Sequence, residues 1–464
     1  FKEEKYKKYS QIEHVLARPG MYIGELHNVA GTNWVVEGDR IVSKQLHWNP
    51  GVYKIFDEII TNSADESQRN PSVKTIDVKI TDTEITIYND GSGIPIEIHK
   101  EYQIYVCELI FGNLLSSSNY DDTEQRTVGG LNGLGAKLTN IYSTEFTVET
   151  KHSNQVYTQT FKNNLSEIGK PEIKKASPKD KDYTKITFKP DFAKFGLKNL
   201  TDNDTFKILE RRVYDICAVT NKNVCVILNG QKLKTKDFSQ YMDMYIGPKK
   251  ENPRVYEEIN DRWAIGFSLS QTGTFQQLSF VNGISTVEGG SHVEHVLGPI
   301  VKSITEELQT KHKHINIKPH YIREHLFIFV KCLINNPTFA SQTKDKHTTR
   351  VSDFGSRCVV SDDSIKKISK LGFVDQLLAM AEAKDKKSLS KTDGKKVSKI
   401  HIPKLDDANK AGTSESEKCT LILTEGDSAK TTAVAGLSIV GRDYFGGFPL
   451  RGKLLNTRTA SFAQ

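Results

Sequence analysis

Four glycines, Gly129, Gly130, Gly133 and Gly135, crowd the stretch Thr127-Val-Gly-Gly-Leu-Asn-Gly-Leu-Gly-Ala-Lys137. Glycine lets a backbone turn successive N–H groups toward a ligand with no side chain in the way. Such N–H groups form a concave anion site, to which a following helix N-terminus and a lysine add positive charge. The chemistry suited to this stretch is phosphate binding. In isolation, a flexible glycine-rich loop explains it equally well.

Three further groups bear on that choice. In Asp57-Glu58-Ile-Ile-Thr-Asn62-Ser-Ala-Asp65, the spacing puts Glu58, Asn62 and Asp65 on one helix face. There Asn62 could ligate a metal ion and Glu58 could act as base for an attacking water; the alternative is a solvated helix face. Asn89-Asp90-Gly-Ser-Gly93 reads as a hairpin turn or as a polar group set against a flat base, with glycines allowing close approach. Leu115-Ser-Ser-Ser-Asn-Tyr-Asp-Asp122 offers hydroxyls and an amide to ribose and phosphate oxygens, or is a polar surface loop.

The elements that must hold these groups are legible. Val52, Ile55, Phe56, Ile59 and Ile60 recur at helical spacing and predict a helix over 51–70. Alternation across 74–89, broken by Thr81-Asp-Thr-Glu84, predicts a hairpin. Further strand patterns lie at 145–150, 155–161, 184–189 and 224–228, with Asn229-Gly230 as a turn. Helices followed by an antiparallel sheet predict an α/β sandwich rather than a βαβ alternation. A second unit opens near 240, with strands at 262–269, 275–281 and 325–334 and helices at 291–310 and 362–383. A lysine-rich segment at 384–399 reads as a solvated linker, and Cys419–Thr424 as a buried strand running into Glu425-Gly-Asp-Ser428.

Composition narrows the class. A chain of 464 residues predicts two or three domains, and 37% hydrophobic with 26% charged residues is a globular balance. No apolar run approaches the roughly 18 residues that cross a bilayer, so no membrane is expected. The opening Phe1-Lys-Glu-Glu-Lys-Tyr6 lacks a signal peptide's apolar core. Six scattered cysteines lack metal-ligand spacing and point to a reducing, intracellular setting. A net charge of +7 is compatible with a polyanionic partner. The missing initial methionine and the unterminated end at Gln464 predict a fragment of a longer polypeptide.

Taken in order, the acidic–Asn helix, the Asp-Gly-x-Gly turn and the glycine stretch with its lysine resemble the GHKL ATP-binding fold. Type II topoisomerases, Hsp90 chaperones, MutL-type repair proteins and sensor histidine kinases share that fold. Arg18-Pro-Gly-Met-Tyr-Ile-Gly24, Phe280-Val-Asn-Gly-Ile-Ser-Thr-Val-Glu-Gly-Gly-Ser-His292 and Ser341-Gln-Thr-Lys344 are similar to segments of type IIA DNA topoisomerases. So are Leu423-Thr-Glu-Gly-Asp-Ser-Ala429, which resembles the opening of a TOPRIM metal site, and Pro449-Leu-Arg-Gly-Lys-Leu-Leu-Asn456, which is similar to the next TOPRIM segment. Lys404–Gly412 and Ser117–Asp121 favour the single-chain eukaryotic form and its large-virus relatives over bacterial gyrase.

The resemblance implies an α/β (α+β) chain in three parts: a GHKL ATPase sandwich over 1–240, a ribosomal-S5-like transducer over 241–400, and a truncated TOPRIM start over 401–464. It implies ATP and Mg²⁺ as ligands, with Glu58 as general base and Asn62 on the magnesium. Asn89 and Asp90 would face the adenine, and Ser117, Ser118 and Asn119 would contact ribose and phosphate. Gly130, Leu131, Asn132, Gly133, Leu134, Gly135, Ala136 and Lys137 would wrap the triphosphate. Gln342, Thr343 and Lys344 would reach it from the second domain, with Lys344 on the γ-phosphate. Tyr6 would belong to an arm handed to the other subunit of a homodimer, and Glu425 would be a TOPRIM metal ligand.

Double-stranded DNA is the implied partner. Lys311, Lys313 and Lys318 are candidates for it, although a solvated helix end explains them as well. A cellular eukaryotic enzyme of this kind would act in the nucleus, and a viral one in the virion or host cell. The competing reading is an ATP-dependent repair clamp or chaperone of the same fold. Leu131, Leu134 and Gly20-Met21 depart from the usual eukaryotic Arg, Tyr and Asp-Thr, which makes a protist or viral source plausible.

Overall fold

Asn49 sets the start of the longest helix of the first layer. Its side chain accepts the Val52 N–H and Pro50 follows at the first helical position, so α2 runs Pro50–Arg69. (α1 is Gln11–Ala17.) Val52, Ile55, Phe56, Ile59 and Ile60 are at most 2% exposed, each removed from water at a gain of about 2 kcal/mol. The same helix also buries Lys54, Asp57, Glu58 and Asp65. The computed structural model describes residues 6–116, 125–130, 133–313, 315, 317–381 and 404–450.

Behind α2 lies a sheet in the order β11 (Gln231–Lys232), β10, β3, β4, β9, β5, β6, β7 (Glu167–Ile168), with β8 (Glu172–Lys175) paired to β6. Its central strands are β3 (Thr75–Ile80), β4 (Ile85–Asp90), β9 (Tyr183–Pro190), β5 (Ser143–His152) and β6 (Gln155–Lys162), all antiparallel neighbours. The expected hairpin is β3–β4, with Ile76 opposite Asn89. The expected all-antiparallel sheet needs correction, because β10 (Cys225–Leu228) pairs with β3 in parallel. The reason is α6 (Thr205–Val219), which packs on α2 and returns the chain before β10 joins the sheet beside β3. Helices α3 (Val106–Gly112), α4 (Gly135–Ile141) and α5 (Phe192–Phe195) complete this part. A hairpin of β1 (Val29–Glu37) and β2 (Arg40–Trp48) had no clear signal in the sequence, since most of its residues are partly or fully exposed.

A second sheet follows in the order β12-β13-β16-β14-β15. Its strands are Arg254–Asn260, Trp263–Leu269, Leu326–Cys332, Gln276–Val281 and Ile284–Ser285 in that spatial order. Helix α8 (Ser291–Lys311) buries Val293, Val296, Leu297, Ile300 and Ile304 in the core of this part. The short α9 (Pro319–Glu324) and α10 (Asp362–Ser369) follow. The expected junction near 240 falls inside α7 (Phe238–Ile246). That helix shares one core with Ala264, Leu278, Phe280, Phe327 and Phe329 of the second sheet. The two sheets therefore meet through packed side chains.

The described residues 404–450 belong to a separate compact unit. Its described part has two parallel strands, β17 (Thr420–Glu425) and β18 (Phe445–Leu450), joined by the helix Asp427–Val440. The lysine-rich segment 384–399 and residues 451–456 lie outside the described residues. Among the described residues no helix is long and apolar enough to cross a membrane, and the six cysteines are free.

Candidate nucleotide site

A cleft of about 270 Å³ opens between α2, the end of β4, the glycine stretch and a loop of the second sheet. Glu58, Asn62, Asp65, Asn89, Gly93, Ser116, Gly130, Gly133, Leu134, Gly135, Ala136, Lys137, Gln342 and Lys344 line it. Ile59, Ile87, Ile94, Ile110 and Ile186 give it an apolar side. Four segments far apart in sequence thus converge on one concavity, with apolar walls and a few placed polar groups, as small-molecule sites have.

Glu58 is the most constrained of these groups. Lys54 Nζ lies 2.8 Å from its Oε1 without hydrogen-bond geometry, and Lys344 Nζ lies 3.7 Å from its Oε2. Burial pushes the carboxyl up, but Lys344 and Lys54 outweigh burial and hold it below its ordinary value. Its neighbour Asp57 is held well below its ordinary value: burial opposes, but Arg212 and Lys54 prevail, with Arg212 Nε at 2.6 Å. A Cβ at Gly135 would stand 2.2 Å from Glu58 Oε2, so only glycine fits beside the carboxylate. Asn62, one turn on, is exposed to the cleft.

Asp65 has a part that the sequence did not disclose. Its carboxylate accepts the Gly129 N–H at 3.0 Å and the Gly130 N–H at 3.2 Å, tying α2 to the glycine stretch. Burial raises it to about 6, and the two backbone donors only temper that rise. Lys137 is 3% exposed and donates to Gly133 O at 2.6 Å and Ser116 O at 2.5 Å. Burial lowers its ammonium to about 8.

Asn89 and Asp90 separate. Asn89 lines the cleft, with its Nδ2 donating to Asp90 O at 3.1 Å. Asp90, expected beside it, is turned away by the alternation of the strand. Its Oδ1 accepts the N–H groups of Lys74 and Thr75, and its Oδ2 pairs with Lys181 at 2.9 Å. Asp90 therefore closes the end of the hairpin, and it faces a different, shallower depression beside Lys181.

The second sheet contributes Gln342 and Lys344. Lys344 has φ 64°, is 7% exposed, and donates to Gly129 O at 3.3 Å. Thr343 between them turns out of the cleft, 3.7 Å from where a Gly24 Cβ would be. Tyr6 is 76% exposed and lines no part of the cleft. Lys311, Lys313 and Lys318 are exposed near the end of α8, where Lys311 pairs with Glu307 at 2.6 Å. Glu425 is exposed at the end of β17 in the separate unit. Ser117, Ser118, Asn119, Leu131 and Asn132 lie outside the described residues.

The ATPase region of Saccharomyces cerevisiae topoisomerase II is 44% identical to this chain with a TM-score of 0.78, covering 82% of this chain and 99% of that structure. The chain belongs to the type II DNA topoisomerase family. The ATPase and transducer domains of DNA topoisomerase II from Balamuthia mandrillaris give 41% identity and a TM-score of 0.80 over 83% of this chain and all of that one. DNA topoisomerase 2 of Arabidopsis thaliana is 48% identical over 473 residues, covering all of this chain and 32% of that protein. The chain thus spans about a third of the length of its curated topoisomerase relatives.

Residues 49–194 match the family described as histidine kinase-, DNA gyrase B- and HSP90-like ATPase, and residues 227–396 match DNA gyrase B. The first sheet with α2 is accordingly the GHKL ATPase domain of a type II topoisomerase, and the second sheet is its transducer. The similarity supports this reading and not the repair-clamp or chaperone alternative, and the relatives do not support a viral source.

Proposed function

We propose that this chain is the ATP-operated gate of a type II DNA topoisomerase, which passes one duplex through a transient break in another. The observation that carries the reading is the meeting of Glu58 from the ATPase domain and Lys344 from the transducer in one cleft, beside glycine N–H groups suited to phosphate. Hydrolysis of a γ-phosphate is mainly a matter of positioning and of meeting charge. The glycine backbone, Lys137 and Lys344 meet that charge, while Glu58 orients the attacking water and takes its proton. Lys344 also tunes the base. When it engages a γ-phosphate it is shared away from Glu58, and the carboxylate becomes more basic.

The amide of Asn62, exposed to the cleft beside Asp65 and Gly130, is an oxygen donor suited to a hard cation. Asn62 would hold a magnesium ion there, and the ion would supply positive charge against the phosphates. Asn89 meets the adenine. Loss of the γ-phosphate frees Lys344 and lets the transducer shift against the ATPase domain. We assign Tyr6 to an arm exchanged within a homodimer, Lys311, Lys313 and Lys318 to salt-sensitive contact with DNA phosphates, and Glu425 to a TOPRIM magnesium site. The setting is the nucleus.

The test is ATP turnover by this chain across protein concentrations, with and without duplex DNA, beside Glu58→Ala. The parent should turn over with second-order concentration dependence. The variant should bind nucleotide and lose about 10²–10⁴-fold in hydrolysis. Hydrolysis by Glu58→Ala at the parent rate would remove Glu58 as the base.

A further inference from the structure

The turn Asn282-Gly283 joins β14 to β15 at the seam between the two sheets. Its residues have φ 50° and 79°, the two-residue hairpin geometry that Asn-Gly favours. Asn282 is fully buried, and its amide makes three bonds. Oδ1 accepts the Ile334 N–H at 2.7 Å, and Nδ2 donates to Ile334 O at 2.9 Å. The second Nδ2 hydrogen goes to Val128 O at 3.1 Å, immediately before Gly129. Both donors of the amide are spent, so its orientation is fixed.

A neighbouring residue repeats the connection. Asn336 N donates to Arg126 O at 2.9 Å, and Arg126 N donates to Asn336 Oδ1 at 3.1 Å. The backbone leading into the glycine stretch is therefore bonded to the transducer, although its sequence belongs to the ATPase part. Beyond it, the Gly129 and Gly130 N–H groups are held by Asp65 of α2. Gly129 itself fits closely on the turn, for a Cβ there would lie 2.8 Å from Ile284 Cδ1.

We propose that Asn282 is a positioning residue for the triphosphate: it fastens Val128, the root of the glycine stretch, to the transducer, while Asp65 of α2 holds the Gly129 and Gly130 N–H groups, so that the stretch is set by both sheets. The inference rests on the ATP reading above. It gives the transducer a second hold on the phosphate site that does not pass through the Lys344 side chain. A transducer shift then moves the root of the glycine stretch as well as the lysine. Nucleotides lacking that phosphate are insensitive to the link.

The test uses Asn282→Gly and Asn336→Gly. Glycine adopts φ 50° and 40° without strain, so only the side-chain bonds are lost. Affinities for a non-hydrolysable ATP analogue and for ADP are measured, together with thermal melting. In Asn282→Gly the analogue should bind about tenfold more weakly, as expected for a lost buried hydrogen bond, with ADP within about twofold. Asn336→Gly, which leaves the Asn282 bonds in place, should show the same split at smaller size. Equal loss for both nucleotides, or no loss, overturns the proposal. Should Asn282→Gly fail to fold, the split in Asn336→Gly decides alone. A parent chain that binds neither nucleotide removes the ATP reading itself, and this inference with it.

Discussion

Lys344 Nζ lies 3.7 Å from Glu58 Oε2 and 3.3 Å from Gly129 O, so one transducer side chain touches both the carboxylate and the glycine stretch. Its backbone is in the left-handed region, and it is almost fully buried. Holding a lysine in this way is costly unless its charge is met. Glu58 meets it here, and a phosphate can take that place.

This relationship predicts a shift in pH dependence. Lys344 lowers the Glu58 carboxyl, so Lys344→Ala should raise it and move the acid limb of ATP turnover to higher pH. Turnover should also fall by about 10²–10³-fold through loss of the cation on the phosphate. Nucleotide-dependent cross-linking of the dimer should weaken in parallel. An unmoved acid limb would show that the lysine does not act on Glu58.

Gly135 supplies a steric test. Gly135→Ala puts a methyl 2.2 Å from Glu58 Oε2, and the carboxylate must move. Hydrolysis should fall by about 10²-fold, since a base displaced by about 1 Å loses its alignment. Denaturant unfolding should report a loss of about 1–3 kcal/mol, the usual cost of overpacking. Full activity with unchanged stability would mean that the helix start yields without cost.

Asp65 makes stability depend on pH in a stated direction. Its folded-state value, about 6, is above the ordinary aspartate value of 3.8. A carboxyl raised on folding adds stability below its unfolded value and loses it as pH rises through the folded one. Asp65→Asn should therefore gain stability on the parent between about pH 4 and 7, by about 2–3 kcal/mol across the window. The comparison is the difference between their unfolding free energies at each pH. A difference that is flat with pH would show that the two glycine N–H groups already stabilise the charge fully.

The local parts of this site were legible because they follow from local periodicity. Helical spacing placed Glu58 and Asn62 on α2, and the structure puts both at the cleft. Alternation found β3 and β4, and glycine density marked the stretch that ends in Lys137. Asp90 was misread although its signal was present: neighbours on a strand point to opposite faces, so it could not share the side of Asn89. The β1–β2 hairpin went unseen because its half-exposed strands carry little hydrophobic pattern. The parallel entry of β10 is a matter of topology, which α6 decides.

Residue types and their spacing determined a phosphate-binding stretch, an acid-and-amide helix face and a second unit carrying Gln342 and Lys344. They could not determine that Asp65 binds Gly129, that Arg212 anchors Asp57, or that Asn282 reaches Val128. Those partners are distant in sequence, and no short-range period encodes them. Arg212 reaches Asp57 where α6 packs on α2, Asp65 reaches Gly129 where the glycine stretch returns to that helix, and Asn282 reaches Val128 where the turn after β14 meets the stretch. Burial there removes the water that would otherwise satisfy these groups, so each must find its partner across the fold.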